Sequence, residues 1–207
     1  MTYSGPELLG GMFYLPNQLT LLEQKHFVKF YLENKNSFIQ PVFRSGSKIH
    51  LKMFCLGKHW NSLTNKYENS SNQIPNWMIE IINKYCKNLY PTQNLDFDIC
   101  VINHYVGSDR LGLHRDSAES KETIASGHPV ISFSIGASAN FLFNEKYLQW
   151  NELKNAKQIL LNSGDIITFG EKARLCYHGV NKLKISNKNP FSSFLNNGRL
   201  NFTFRKY

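Results

Sequence analysis

The chain has 207 residues, 42% of them hydrophobic and 14% aromatic, which is enough apolar material for one domain with a sizeable core and too little chain for two ordinary ones. Disorder, collagen-like repeats and coiled coil are excluded by the same composition. A net charge of +9 favours a polyanionic partner, nucleic acid above all, although the basic residues are spread along the chain and mark no site.

The opening Met1-Thr-Tyr-Ser-Gly-Pro6 lacks a basic region followed by an apolar run, and no stretch approaches the ~18 apolar residues of a membrane span. Cys55, Cys86, Cys100 and Cys176 form no C-x-x-C pair and suit reduced, buried thiols. Together these predict a soluble protein of the cytoplasm, or of the nucleus, with no membrane partner.

In chain order, a first helix is expected after Pro16-Asn17. Thr20 and Glu23 have capping-box spacing, and Leu19, Leu22, Phe27, Phe30 and Tyr31 form an approximately helical apolar stripe. Residues 36–73, rich in Asn, Ser and Lys with apolar runs such as Ile49 to Leu56, read as short strands and mobile loops. A second helix is expected from Pro75 through Met78, Ile81, Ile82, Tyr85 and Leu89. From Phe97 onward, short β-rich runs separated by Gly, Asn and Asp occupy 97–106, 130–135, 140–143, 157–161, 165–169, 174–180 and 199–205. The expected fold is mostly β, a double sheet or barrel with helices on one side. We read 1–207 as one domain, with the helices in 1–96 and the β core in 97–207.

Two of these strands carry polar groups on one side. In 199–205, Arg199, Asn201, Thr203 and Arg205 alternate with Leu200, Phe202 and Phe204, so that four polar groups share a face. That face either meets water or clamps an anion, since Arg forms bidentate bonds with carboxylate or phosphate. Asn103 and Tyr105 likewise share a face and can donate to an oxyanion.

His114-Arg115-Asp116 places one imidazole and one carboxylate on the same side of an extended segment. A second His would complete a cation site, and His178, near the end of an expected strand and surface-open, is the candidate. Two His and one carboxylate on one face of an octahedral ion are the ligand set of non-haem Fe(II) oxygenases. A protein-kinase loop would need Asn where Lys121 stands and a Gly-rich phosphate loop, and a zinc deaminase would need H-x-E with P-C-x-x-C; all are absent.

The runs Val101–Tyr105, Leu113–Asp116, Val130–Gly136, Ser163–Asp165, Arg174–Gly179 and Arg199–Arg205 resemble, in order and spacing, the AlkB family of Fe(II)/2-oxoglutarate dioxygenases. The terminal R-x-N-x-T-x-R and the H-x-D are the most specific pieces. The resemblance implies a double-stranded β-helix (jelly roll) with two N-terminal packing helices, and Fe(II), 2-oxoglutarate and O2 as cofactors. It makes His114, Asp116 and His178 the iron ligands. Arg199 becomes the partner of the far carboxylate of 2-oxoglutarate, Arg205 a partner of its iron-proximal end, and Asn103, Tyr105 and Asn201 supporting donors.

Upstream, Leu56-Gly-Lys-His-Trp60 followed by Tyr67 is similar to the family's nucleotide-recognition lid, with ordinary packing under a loop as the other reading of Trp60 and Tyr67. The bacterial type has an acidic residue two positions past the metal Asp. Here that position is Ala118, with Glu119 beside it as the candidate substrate contact. The implied activity is oxidative demethylation of N-alkylated bases in DNA or RNA, single strands foremost, by a monomer, with release of formaldehyde, succinate and CO2. An oxygenase of the same core acting on protein or a small molecule, or a regulatory rather than repair demethylase, are the alternatives.

Overall fold

The computed structural model describes residues 6–185 and 189–207, so Met1–Gly5, part of the segment read for a targeting signal, lie outside the described residues. The chain begins with a short hairpin, β1 (Glu7–Leu9) and β2 (Met12–Leu15), which the sequence reading did not anticipate. Helix α1 (Leu21–Asn34) follows, then β3 (Lys52–Asn61), β4 (Lys66–Asn69) and α2 (Asn76–Cys86). Next come β5 (Ile99–Tyr105), β6 (Leu111–His114), the short α3 (Lys121–Ala125), β7 (Val130–Gly136) and β8 (Ser138–Asn144). The chain closes with β9 (Lys157–Leu161), β10 (Ile166–Phe169), β11 (Tyr177–Lys184) and β12 (Arg199–Arg205).

These strands form an antiparallel sheet in the order β1-β2-β10-β7-β12-β5-β3-β4 and a second one in the order β6-β11-β8-β9. The two sheets face each other as a jelly roll, and one core lies between them: Val101, Phe169 and Tyr105 from the large sheet meet Phe141, Phe143 and Val180 from the small one. A second core lies on the other side of the large sheet, where Leu200, Phe202 and Phe204 pack with Phe27, Met78 and Ile82 of the helices. Alternation along β12 therefore sends its apolar residues to the helices and its polar residues between the sheets. All seven are buried, so the water-facing reading of this strand is excluded.

Helix α1 begins where its cap predicted, and α2 begins at Asn76, with the expected first-turn residue Pro75 as its extended N-cap. Thr20 caps α1 in a complete capping box with Glu23. The buried stripe of α1 is Gln24, Phe27, Val28 and Tyr31, whereas Leu22 is 68% exposed; the helix starts at Leu21, and this phase turns Leu22 outward. Residues 36–73 are more ordered than expected, because β3 runs for 10 residues and pairs along β5 before turning into a hairpin with β4. The run expected over 174–180 begins as strand only at Tyr177, since a 3-10 turn at Glu171–Ala173 precedes it and Arg174 turns inward.

Glu23 joins the helices. Its carboxylate accepts from the Thr20 backbone and hydroxyl, from Lys84 Nζ and from the Tyr85 hydroxyl, each at 2.8 Å. Partial burial pushes its pKa up, but the bonds from Lys84, Tyr85 and Thr20 outweigh burial and hold it below the usual value. A depressed folded pKa gives stability that is present above the unfolded carboxylate pKa and lost progressively as pH falls from there through the folded pKa. Glu23→Gln is expected to cost about 1 kcal/mol at pH 7. The gap to wild type should begin to narrow near the ordinary carboxylate pKa of about 4.3 and close once pH has fallen through the lower folded value, as urea titrations across pH would record.

Candidate metal centre and its two chambers

The centre is built on the β6–β11 pair. His178 stands directly opposite His114 in register, with ring centroids 4.4 Å apart, and facing residues of antiparallel strands share a side. Gly179 permits this approach: a Cβ there would lie 2.6 Å from the Leu111 carbonyl oxygen. Asp116, two residues past His114, brings its carboxylate to 3.7 Å from His114 Nε2 and 3.6 Å from His178 Nε2. The three ligand atoms lie within 4.8 Å of one another.

Each ring has its other nitrogen engaged. His114 Nδ1 meets the Gly112 carbonyl at 2.9 Å and His178 Nδ1 the Cys176 carbonyl at 3.2 Å. A carbonyl only accepts, so Nδ1 carries the proton in both and the Nε2 lone pairs converge with Asp116, the arrangement a metal-binding His needs. His178 is 6% exposed and packs against Phe141 and Phe169, which corrects the expectation of a surface-open residue. Burial, and the neighbouring His114, push its pKa down to about 3 against the pull of Asp116. At neutral pH the imidazole is uncharged and its lone pair is available.

Asp116 is buried, which alone would raise its pKa, but Arg205 and the two imidazoles hold it well below the carboxylate range. Arg205 grips both oxygens, Nε to Oδ2 and Nη2 to Oδ1, at 2.8 Å each, and donates from Nη1 to the Tyr67 hydroxyl at 3.0 Å. Glu119 is also turned inward, with Oε2 3.3 Å from Arg174 Nη2 and Oε1 3.5 Å from Arg205 Nε. Arg174 further donates to the Asp116 backbone carbonyl at 2.7 Å. Arg205, expected as a partner of the cosubstrate's iron-proximal end, serves here as the counter-ion that a buried carboxylate requires, and it also borders the smaller chamber described next.

Two chambers meet at the triad. The smaller, of about 30 Å³, is bordered by Tyr105, His178, Arg199, Asn201 and Thr203. Arg199 is 1% exposed and makes one bond, from Nη2 to Ser134 Oγ at 2.9 Å. Its Nε and Nη1, and the Tyr105 hydroxyl, have no hydrogen-bond partner among the described residues. Burial pushes the Arg199 pKa down, against the opposing pull of Tyr105 and Asp165. A desolvated, unpaired guanidinium beside an orphaned hydroxyl is costly unless an anion completes it, so these residues fit a carboxylate-bearing cosubstrate next to a metal. Asn201 is less available than expected, since its amide donates to Ser132 Oγ and the Phe133 carbonyl. Asn103 borders both chambers.

The larger chamber, about 310 Å³, opens on the other side of His114 and Asp116. Trp60 and Tyr67 stand opposite each other in the β3–β4 hairpin and both line it, with Met53, Phe43 and Glu119 on the remaining walls. Trp60 Nε1 donates to Asn65 Oδ1 at 3.1 Å, and the Phe43 ring meets the indole edge-on at 6.1 Å. Sequence reasoning missed Ser134, Arg174 and Phe43. Arg174 lay inside a recognised run, four residues before His178, and that position was its only signal.

The sequence pattern of the 2OG-Fe(II) oxygenase superfamily matches residues 11–205. The chain is 37% identical to the Arabidopsis thaliana protein named DNA N(6)-methyladenine demethylase ALKBH1D, over 95% of this chain and 49% of that one. It is 35% identical to alpha-ketoglutarate-dependent dioxygenase AlkB of Escherichia coli, over 53% and 45%. It thus spans about half the length of the curated relatives it matches. Among solved structures, that of OsALKBH1 superposes with a TM-score of 0.78 at 31% identity, covering 98% of this chain and 99% of the other. No helix among the described residues is long and apolar enough to cross a membrane. A converging His-Asp-His set, a buried arginine with two donor nitrogens not bonded within the described residues, and a match along nearly the whole chain place this protein in the 2OG-Fe(II) oxygenase superfamily, within its AlkB family.

Proposed function

We propose that this protein oxidatively demethylates N-methylated bases in nucleic acid, as a monomer working on exposed or single-stranded DNA or RNA in the cytoplasm or nucleus. Residues 1–96 supply helices and lid to the 97–207 core within one catalytic unit. The observation that carries the reading is the meeting of two chambers at one triad, one with an unpaired buried arginine and the other walled by aromatic side chains. The net charge of +9 supports a phosphate-bearing substrate, and the name of the Arabidopsis relative adds N6-methyladenine to the bases to be tested.

In this reading His114, Asp116 and His178 hold Fe(II). Bound there with 2-oxoglutarate and O2, the metal would supply the oxidation of an N-methyl carbon, with formaldehyde, succinate and CO2 as the products beside the unmethylated base. Arg199 and Tyr105 bind and orient the far carboxylate of the cosubstrate. Arg205 fixes Asp116 against both imidazoles and ties that carboxylate to Tyr67 of the hairpin. Trp60 and Tyr67 flank the base, which must leave its stack to bring a methyl group near the triad. Glu119, paired with two arginines, keeps the floor of the chamber charge-balanced.

The test is formaldehyde release from oligonucleotides carrying N6-methyladenine, 1-methyladenine or 3-methylcytosine, with Fe(II), ascorbate and air, in the presence and absence of 2-oxoglutarate. Cosubstrate-dependent formaldehyde is expected from at least one. Succinate without formaldehyde on every oligonucleotide would reject the substrate class, and neither product would reject the metal assignment. Arg199→Ala is expected to weaken 2-oxoglutarate binding by roughly 1.5–3 kcal/mol, the loss of a charged hydrogen-bond pair. In the cosubstrate-free protein the removal of a buried, incompletely bonded charge opposes the cost of the cavity left behind, so the loss of stability should be smaller than for a buried apolar side chain of that size. Thermal melts with and without 2-oxoglutarate read both effects.

A further inference from the structure

The residues that alternate with the metal ligands point the other way. One step along each chain from the facing pair His114 and His178 stand Arg115 and Tyr177. Their side chains meet outside the centre, with the Arg115 guanidinium 4.0 Å from the Tyr177 ring centroid. The Tyr177 ring in turn contacts Tyr147, edge to face at 5.4 Å, from the loop after β8. Tyr147 is 59% exposed, and Lys146 beside it is also exposed. Arg115 itself is exposed and borders the mouth of the larger chamber.

Three features make this more than a solvated surface. No ion pair joins Arg115 to any carboxylate among the described residues, Glu145 of the same loop included. Stacking on Tyr177 holds the planar guanidinium while leaving its N–H edges free, the geometry suited to bidentate phosphate binding. An exposed aromatic ring next to a fixed cation is the pairing on which single-stranded nucleic acid is bound, stacking for a base and charge for its phosphate.

We propose that Arg115, Tyr177 and Tyr147 form a ledge outside the chamber that binds the nucleotide flanking the one being demethylated, Arg115 taking a phosphate and Tyr147 stacking a neighbouring base. The proposal rests on the nucleic-acid reading above and adds the path of the strand across the small sheet. It also gives a role to the residue between the two ligands of the H-x-D: one extended segment presents the metal ligands inward and the backbone clamp outward, so that the strand is fixed in register with the reacting centre.

The test is fluorescence anisotropy of a labelled unmethylated single-stranded oligonucleotide, titrated with the 207-residue protein between about 50 and 200 mM salt. Arg115→Ala should weaken binding by about tenfold at the lower salt, as for one charged hydrogen bond. The slope of log K against log salt should become shallower by about 0.7, one phosphate contact on a single strand. Tyr147→Ala should weaken binding several-fold with an unchanged slope, since stacking releases no counterion. Arg115→Lys should restore the slope and part of the affinity, which separates loss of charge from loss of fold. Unchanged slope and affinity in Arg115→Ala, with tight binding by the wild type, would overturn the ledge and leave the demethylase reading standing. A wild type that binds an acidic peptide but no oligonucleotide would overturn both.

Discussion

Arg205→Ala is expected to cost about 3–5 kcal/mol of folding stability, the range for breaking a buried ion pair by removing one partner. The reason is what remains. Asp116 loses both bonds to its carboxylate oxygens. Arg174, the next nearest cation, bonds the Asp116 backbone carbonyl and pairs with Glu119 instead. Tyr67 loses its donor at the same time, so the hairpin that carries Trp60 is released from the centre. Urea unfolding of the metal-free protein should show a lower midpoint at an unchanged slope. The metal must be absent, because a bound cation would compensate the carboxylate. Adding Asp116→Asn to Arg205→Ala should recover a large part of the loss by removing the uncompensated charge. If the double variant is no more stable than Arg205→Ala, packing rather than charge is responsible.

How far the sequence reaches is clearest in β12. Alternation alone puts Arg199, Asn201, Thr203 and Arg205 on one face, yet it is silent on what covers that face. The answer depends on helices more than 100 residues upstream burying Leu200, Phe202 and Phe204, so that the polar side is left between the sheets. The H-x-D spacing is local and readable; the pairing of His114 with His178 is a strand register, which the sequence approaches only by offering His178 as a candidate near the end of an expected strand. The same limit explains Arg205, whose partner Asp116 is 89 residues away. It also explains Ser134, an ordinary strand serine until β7 is laid beside β12 and its hydroxyl accepts from Arg199. The hairpin β1–β2 escaped because strands of 3 and 4 residues are too short for a period to register. Leu22 lies outside the buried stripe because an approximately helical spacing tolerates a shift of one residue at the start of a helix.

His178→Ala is expected to abolish cosubstrate-dependent turnover, and the structure also gives it a cost in stability. The ring is buried, stacked near Phe141 at 5.8 Å and Phe169 at 4.6 Å, and held by the Cys176 carbonyl. Truncation leaves a cavity between the sheets, at roughly 2–3 kcal/mol by analogy with other large-to-small core changes. A loss of activity in this variant alone would therefore not separate a missing ligand from a loosened fold. His178→Leu makes the separation, because it fills the space with apolar atoms against the two phenyl rings and supplies no lone pair. It should stay within about 1.5 kcal/mol of wild type in urea, as volume-conserving swaps do, and still give no formaldehyde or succinate. Binding of Mn(II), read as a rise in melting temperature, gives the second readout: at about 100 times Kd the wild type should gain roughly 2.7 kcal/mol, and both variants should gain far less. Cosubstrate-dependent turnover by His178→Leu would remove His178 from the ligand set, whatever the closeness of its ring to His114 and Asp116.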